Sequence, residues 1–110
     1  MPVCVFSVCD MLPSTRTGQN LGYQLSKSGT APALIYGEAQ AAESRADFIH
    51  KMKIALKEIR ESRVNLQIIK RKPIIIHDKV ELAFNESNQL MAIFIKSIET
   101  AKKNDDRLKK

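Results

Sequence analysis

The sequence has little of what builds sheets, turns and disulfide frameworks. Its 110 residues include four glycines, four prolines, two cysteines and no tryptophan, and aromatic side chains make up only 5%. Scarce glycine and proline leave few breakers inside helices, so the composition favours helix over sheet. Cys4 and Cys9 lie five positions apart, which is not a zinc-binding spacing, and we interpret both as buried reduced thiols of a cytoplasmic protein.

The chain also lacks a long hydrophobic run. The apolar stretch at its start is too short to span a membrane, and no basic residue precedes it as in a signal peptide. We interpret it as a short first helix and expect no membrane partner. A length of 110 residues favours one domain with its own core. We place that domain at residues 1–104 and predict a disordered basic tail at 105–110.

Four segments predict helices, at residues 3–12, 19–40, 44–72 and from 78 to about 104. Pro13 and Pro73 end the first and third helices, because proline disfavours helix at the residue before it. Ser44 and Asp78 each open a capping pattern with an acidic residue three positions later. Pro32 lies inside the second helix and should bend it.

Apolar residues recur at helical spacing in the three longer segments. Each stripe predicts the core-facing side of one helix. Four such helices with short connections predict an all-α, up-and-down four-helix bundle. The predicted core positions are Leu21, Leu25, Leu34 and Ala39 in the second helix, Phe48, Met52, Ala55, Leu56, Ile59 and Leu66 in the third, and Val80, Ala83, Phe84, Ser87, Met91, Phe94, Ile98 and Ala101 in the fourth.

Positive charge is concentrated on the third helix. The net charge is +6, and residues 45–72 hold nine basic side chains against three acidic ones. Such a surplus suits a polyanion, and the shortage of aromatics for base stacking argues against sequence-specific readout. The predicted nucleic-acid-binding residues are Lys53, Lys57, Arg60, Lys70, Arg71 and Lys72. The alternative is a solvated face with local ion pairs such as Lys57–Glu61.

A second set of apolar residues falls outside the main stripes of the third and fourth helices. A monomer would expose them, which is typical of residues buried between subunits. We therefore predict self-association through Ile54, Val64, Ile68, Leu82 and Ile93. The alternative is a wide apolar face within one bundle.

The stretch ESRADFIH at 43–50 has the residue types of two kinds of site. Arg45 and His50 match the loose Arg-x4-His spacing of a metal-independent ribonuclease, although five positions on a helix set the side chains about 140° apart. Glu43, Asp47 and His50 could hold a metal on one helical face. The ordinary alternative is a helix start with Ser44 as its cap, and on that interpretation we expect no catalytic residue, metal or cofactor.

Several motifs together resemble one known family. They are QLSKSGT at 24–30, YGEA at 36–39, AESRADFIH at 42–50, IALKE at 54–58, RES at 60–62 and IFIKSI at 93–98. They resemble the four-helix-bundle proteins encoded in intervening sequences of bacterial 23S rRNA genes. That family usually has a longer first helix and an asparagine where this chain has Ile35.

The resemblance implies a homopentameric ring of four-helix subunits. It also implies kinship with the accessory protein of diversity-generating retroelements, a basic pentameric barrel that binds nucleic acid and a reverse transcriptase. We therefore predict a non-enzymatic oligomer that binds RNA or DNA non-specifically and serves as an adaptor for a nucleic-acid-processing protein. The alternatives are a ribonuclease that uses Arg45 and His50, or a scaffold that binds only protein.

Overall fold

Four helices account for nearly all of the described chain. A computed structural model describes the backbone at residues 2–71 and 78–109 and the side chains at 5–71 and 78–104. The helices are α1 (Pro2–Met11), α2 (Arg16–Gln40), α3 (Arg45–Arg71) and α4 (Asp78–Lys109). The described ranges contain no strand, which confirms the all-α prediction. None of the described helices is long and apolar enough to cross a membrane.

The helix starts follow from capping side chains. The Ser44 hydroxyl accepts a hydrogen bond from the Asp47 backbone N–H at 3.0 Å, as the capping pattern predicted. Thr15 does the same for the N–H of Gly18 at 3.1 Å, so α2 begins at Arg16. The predicted start at residue 19 was therefore three positions late, because the glycine was assigned to a turn.

Two predictions near the other helix ends have different outcomes. The fourth helix continues to Lys109, past the predicted end near residue 104. The disorder of the 105–110 tail stays a prediction. The apolar loop predicted at 73–77 lies outside the described residues, as does the side chain of Cys4.

The third helix is the centre of the bundle. It packs along both α2 and α4, while α1 packs against α2 and α4 on the opposite side. Successive helices run antiparallel and form a body of 55 × 20 × 18 Å. Over the described residues, no Cα atom of α2 comes within 8 Å of one in α4. A groove therefore separates these two helices, and α1 lies in part of it.

The core divides into two halves along the bundle. In the four-helix half, all four helices contribute buried side chains: Val5, Val8, Leu21, Leu25, Leu66, Ile69, Val80 and Ala83. In the three-helix half, the buried side chains among the described residues come from α2, α3 and α4: Ala39, Met52, Ala55, Leu56, Ile59, Phe94 and Ile98. The division arises because α1 has 10 residues and α2 has 25, so α1 reaches only partway along its neighbours.

Small residues lie where the two halves meet. The buried Ser62 hydroxyl donates to the Ser28 hydroxyl at 2.8 Å, which links α3 to α2. Beside Ser28, a Cβ atom added to Gly29 would lie 2.7 Å from Cγ1 of Val5. Glycine at this position therefore allows the start of α1 to approach α2 closely.

Most predicted core positions are buried, but Leu34 is a clear error. Its side chain is 71% exposed. At 100° per residue, Leu34 lies about 140° around α2 from Leu21, so it points away from α3. Glycine and proline take its place on the inner side, where Gly29 and Pro32 are buried.

Cys9 is only half-buried, which corrects its predicted full burial. Its thiol lies 3.6 Å from the carbonyl oxygen of Gly22. Partial burial, with a smaller contribution from the charge of Asp10, raises the pKa of the Cys9 thiol. The thiol is therefore protonated at neutral pH and a poor nucleophile.

Candidate nucleic-acid interface

The predicted basic residues of α3 do not share one environment. Lys53, Lys57, Arg60 and Arg71 are exposed. Lys70 is paired: its ammonium lies 2.7 Å from a Glu81 carboxylate oxygen and 4.5 Å from the centre of the Phe84 ring. Because these contacts already satisfy its charge, we leave Lys70 out of the candidate site. Lys72 lies outside the described residues.

Two of the exposed residues meet α4 in what we call the basic cleft. Lys53 and Arg60 of α3 and Lys102 of α4 line a cavity of about 410 Å³ between the two helices. Glu99 is the one carboxylate among its lining residues. The floor is aliphatic and consists of Leu56, Ile95 and Ile98. Three cations thus surround one concave surface with a net charge of two positive units.

The geometry of the basic cleft suits an extended anion. Long lysine and arginine side chains lie along aliphatic surface and keep their charged ends in water. A guanidinium such as that of Arg60 binds a phosphate through two parallel hydrogen bonds, and lysine adds mobile point charges on either side. The cleft lies between two long helices and is open at the surface, so a nucleic-acid backbone has access to it.

Lys102 is the member of this cleft that sequence reasoning missed. Its place near the end of the predicted fourth helix was explained by the helix dipole alone. A signal was present, because Ile98 and Lys102 are four positions apart and so lie on adjacent turns of one face. What the sequence did not contain was the rotation of α4 that turns this face towards Lys53.

Lys57 occupies a different environment of mixed charge. The charged residues that line a groove of about 670 Å³ on the α2 side of α3 are Lys27, Lys57, Glu58 and Glu61, together with Arg60, which also borders the basic cleft. Partial burial, followed by the charge and hydrogen bond of Glu61, raises the pKa of Glu58, while Lys27 and Lys57 lower it less. The lysine charges are thus offset locally. This favours the solvated-face interpretation for Lys57.

All five predicted interface residues are exposed in the single chain. Ile54, Val64 and Ile68 lie on the outer side of α3, and Leu82 and Ile93 lie on α4. The alternative of one wide apolar face inside the bundle is therefore wrong for this set. Lys57 shares the outer side of α3 with the three aliphatic residues, so a polyanion and a second subunit would compete there. Whether these residues join subunits stays a prediction.

Arg45 and His50 are not brought together within one chain. Arg45 lines a cavity of about 770 Å³ formed by the end of α2, the start of α3 and the end of α4. His50 is exposed and does not line that cavity. Among the side chains that the structure describes, no group of three or more His, Cys, Asp or Glu could hold a metal ion.

The chain is similar to a solved structure. A crystal structure of a protein of unknown function from the S23 ribosomal protein family of Bacteroides thetaiotaomicron superimposes with a TM-score of 0.80. It is 31% identical in sequence, and the match covers 88% of this chain and 90% of that one. No protein-family model matches the chain, and no curated protein matches it either.

Proposed function

The chain belongs to the S23 ribosomal protein family, and from that premise and its basic cleft we propose that it is a non-enzymatic protein that binds the phosphate backbone of RNA or DNA. The observation that carries the proposal is the convergence of Lys53, Arg60 and Lys102 around one cleft. The three come from two helices, so the fold brings together charges that are distant in sequence.

Binding through this cleft would be independent of base sequence. Its described lining residues include no aromatic side chain on which a base could stack. The contacts left for a nucleic acid are charge pairs with phosphates, and each phosphate neutralised releases counterions. Three such contacts predict that log K falls with log salt with a slope of about −3 for duplex DNA.

Assembly extends the same proposal. The motifs in the chain resemble those of the 23S intervening-sequence proteins and of the retroelement accessory protein, which implies a homopentameric ring. We propose such a ring here, with exposed aliphatic residues of α3 and α4 between subunits. A ring would repeat the basic cleft five times, and long nucleic acids would then bind several clefts at once. By the same resemblance, the ring would be an adaptor that carries nucleic acid to a processing enzyme such as a reverse transcriptase.

The direct test is a gel-shift titration of labelled structured RNA, in chelator, at two salt concentrations. Single charge reversal to Glu at Lys53, Arg60 or Lys102 should reduce the affinity for RNA strongly. Each change replaces an attractive phosphate contact by a repulsive one. Arg16→Glu is the matched control, since it makes the same change in net charge at an exposed helix start where an acidic residue suits the dipole.

The outcomes separate the candidate functions. A salt-sensitive shift that the cleft variants lose and Arg16→Glu keeps would support the proposal. Equal losses in both would mean that net charge alone attracts RNA and that the cleft has no special role. RNA that is cut in chelator, and left intact by His50→Ala, would replace the proposal with the ribonuclease. Intact RNA without a shift would leave a protein-binding scaffold.

A further inference from the structure

The basic cleft contains one residue that a surface for phosphates alone does not need. Glu99 lies among Lys53, Arg60 and Lys102 around the same cavity of about 410 Å³. A carboxylate repels a phosphate, so Glu99 lowers the affinity of the cleft for a ligand that offers only negative charge. A ligand that gains from Glu99 has to carry a hydrogen-bond donor next to its negative charge.

Glu99 has no partner within the described part of the chain. In a helix, a glutamate often pairs with a lysine three or four positions later, and Lys102 and Lys103 occupy these positions. Glu99 is nevertheless exposed and, among the residues that the structure describes, takes part in no ion pair or hydrogen bond. Both oxygens of its carboxylate can therefore accept hydrogen bonds from a ligand in the cleft.

The cations define where that donor would lie. Lys53 and Arg60 are seven positions apart on α3, which separates them by about 10 Å along the helix axis. Lys102 faces them from α4, and Glu99 lies three positions before Lys102, on an adjacent turn of the same helix. A strand whose phosphates contact the three cations would therefore pass over the aliphatic floor with a sugar near Glu99.

We propose that the basic cleft selects RNA over DNA and that Glu99 is the residue that discriminates between them. The ribose 2′-hydroxyl donates a hydrogen bond to the Glu99 carboxylate, while the phosphate on the neighbouring sugar carbon binds Arg60 and Lys102. Deoxyribose has no donor at this position, so DNA meets only the repulsion of the carboxylate. The inference rests on the phosphate binding proposed above, and it names the nucleic acid that this site takes.

The ring proposed above leaves Glu99 accessible on α4. Leu82 and Ile93, the α4 residues assigned to the contact between subunits, lie about 100° and 120° around the helix from Glu99. The cleft and the subunit contact therefore use different sides of α4.

Bases carry the other donors of a nucleic acid, and they are the competing partners for the carboxylate. A carboxylate that bound a base would prefer particular bases and would treat the two sugars alike. Comparison of RNA and DNA strands with the same base therefore isolates the contribution of the sugar.

The test uses single strands about 20 nucleotides long, with binding to the full chain measured by fluorescence anisotropy at low salt. Oligouridylate and oligodeoxyuridylate differ only in the 2′-hydroxyl. A 2′-fluoro strand keeps an RNA-like sugar pucker but cannot donate a hydrogen bond. We expect the RNA strand to bind about threefold to tenfold more tightly than the DNA strand, and the 2′-fluoro strand to bind like DNA.

Two substitutions at Glu99 separate its hydrogen bond from its charge. Glu99→Ala removes the acceptor and the repulsion, so DNA should bind about twofold to fivefold more tightly and the preference for RNA should disappear. Glu99→Gln keeps a carbonyl acceptor without the charge, so it should improve DNA binding equally and retain part of the preference. Asp10→Ala is the control, because Asp10 is exposed, equally charged and outside the cleft, and its loss should not change the RNA-to-DNA ratio.

Three results would overturn the inference and leave phosphate binding in place. Equal affinity for RNA and DNA in the original chain would mean that the cleft recognises phosphates alone. A preference that survives Glu99→Ala would show that another residue discriminates. A 2′-fluoro strand that binds like RNA would assign the preference to the sugar pucker. If no strand bound at all, the proposed phosphate-binding function would fail and the inference would fail with it.

Discussion

The two halves of the bundle have the same helices and different surroundings. In the four-helix half, α1 closes the groove between α2 and α4, and the core is covered on every side. In the three-helix half, α2 and α4 remain apart and the same groove is open. The first half thus resembles a complete small domain, whereas the second leaves apolar side chains such as Ile93 exposed and contains the basic cleft. Stability and binding are therefore expected to reside in different halves.

The largest expected effect comes from a matched pair of core truncations. Ile69 and Ile59 are both fully buried on α3, one in each half. Ile→Ala in a core typically costs about 2–5 kcal/mol of unfolding free energy, and less where neighbours can collapse into the space. We expect Ile69→Ala to cost more than Ile59→Ala, because side chains beside the open groove can repack. Urea unfolding at equal protein concentration measures both. Equal costs would mean that the two halves are equally rigid.

The second comparison uses two glycines of α2. Gly37 lies in the part of α2 beside the three-helix half and has no heavy atom within 4 Å of an added Cβ, whereas Gly29 lies against Val5. Alanine at Gly37 should stabilise the protein by about 0.8–1 kcal/mol through helix propensity alone. Alanine at Gly29 should destabilise it by about 1–3 kcal/mol, because overpacking outweighs that gain.

Thermal unfolding of both glycine variants measures this contrast, and a Val5→Ala background sharpens it. Removing the Val5 methyl groups should make Gly29→Ala neutral or stabilising and leave Gly37→Ala unchanged. If the background does not alter the effect of Gly29→Ala, then α1 is not what requires glycine at this position.

The smallest expected effect on the free energy of unfolding comes from two carboxylates, one in each half. In the three-helix half Glu58 is placed beside Glu61, and its pKa is raised mainly by partial burial. A carboxyl with a raised folded pKa binds its proton more tightly in the folded state, so its contribution to stability falls as pH rises through that pKa. Glu58→Gln should therefore stabilise the protein at neutral pH by about 0.2–0.5 kcal/mol and have no such effect in acid.

The four-helix half supplies the opposite charge arrangement as the control. Glu81 pairs there with Lys70 at 2.7 Å. Glu81→Gln should destabilise the protein at neutral pH by about 0.2–1 kcal/mol. Urea midpoints at neutral and acidic pH would show both signs. If both substitutions changed the stability at neutral pH in the same direction, the charge of Glu58 would not be unfavourable in the folded protein.

Local features were the ones that the sequence predicted well. The start of α3 was correct because Ser44 and Asp47 are three residues apart and need no distant partner. Stripes with many members, such as the one through Met52, Ile59 and Leu66, were correct because periodicity averages over several turns. A single apolar residue is not supported by neighbours on several turns. Leu34 was assigned to the core for its apolar side chain, although its angle around α2 directs it away from α3.

Features that depend on how helices are turned and spaced were not predicted. Lys102 lines the basic cleft because α4 packs against α3 with the face that carries Ile98 and Lys102 turned towards Lys53. The contacts of Lys70 with Glu81 and Phe84, on another helix, could not be predicted either, and whether Lys70 binds nucleic acid stays a prediction. The rings of Tyr36 on α2 and Phe94 on α4 lie 5.8 Å apart, and their sequence positions give no sign that they meet.

The polar contacts between helices also set how far each helix is shifted along the next. Apolar side chains accept many registers, since one branched aliphatic packs nearly as well as another. Sliding α3 by one turn, about 5.4 Å, would separate Ser62 from Ser28 and Arg63 from Asn88, its partner on α4 at 2.6 Å. The first separation would leave a buried hydroxyl without its partner, and the second would break a partly buried hydrogen bond. These contacts therefore fix the axial register of α3 relative to α2 and α4. That register determines which charged side chains of α3 and α4 face each other across the basic cleft.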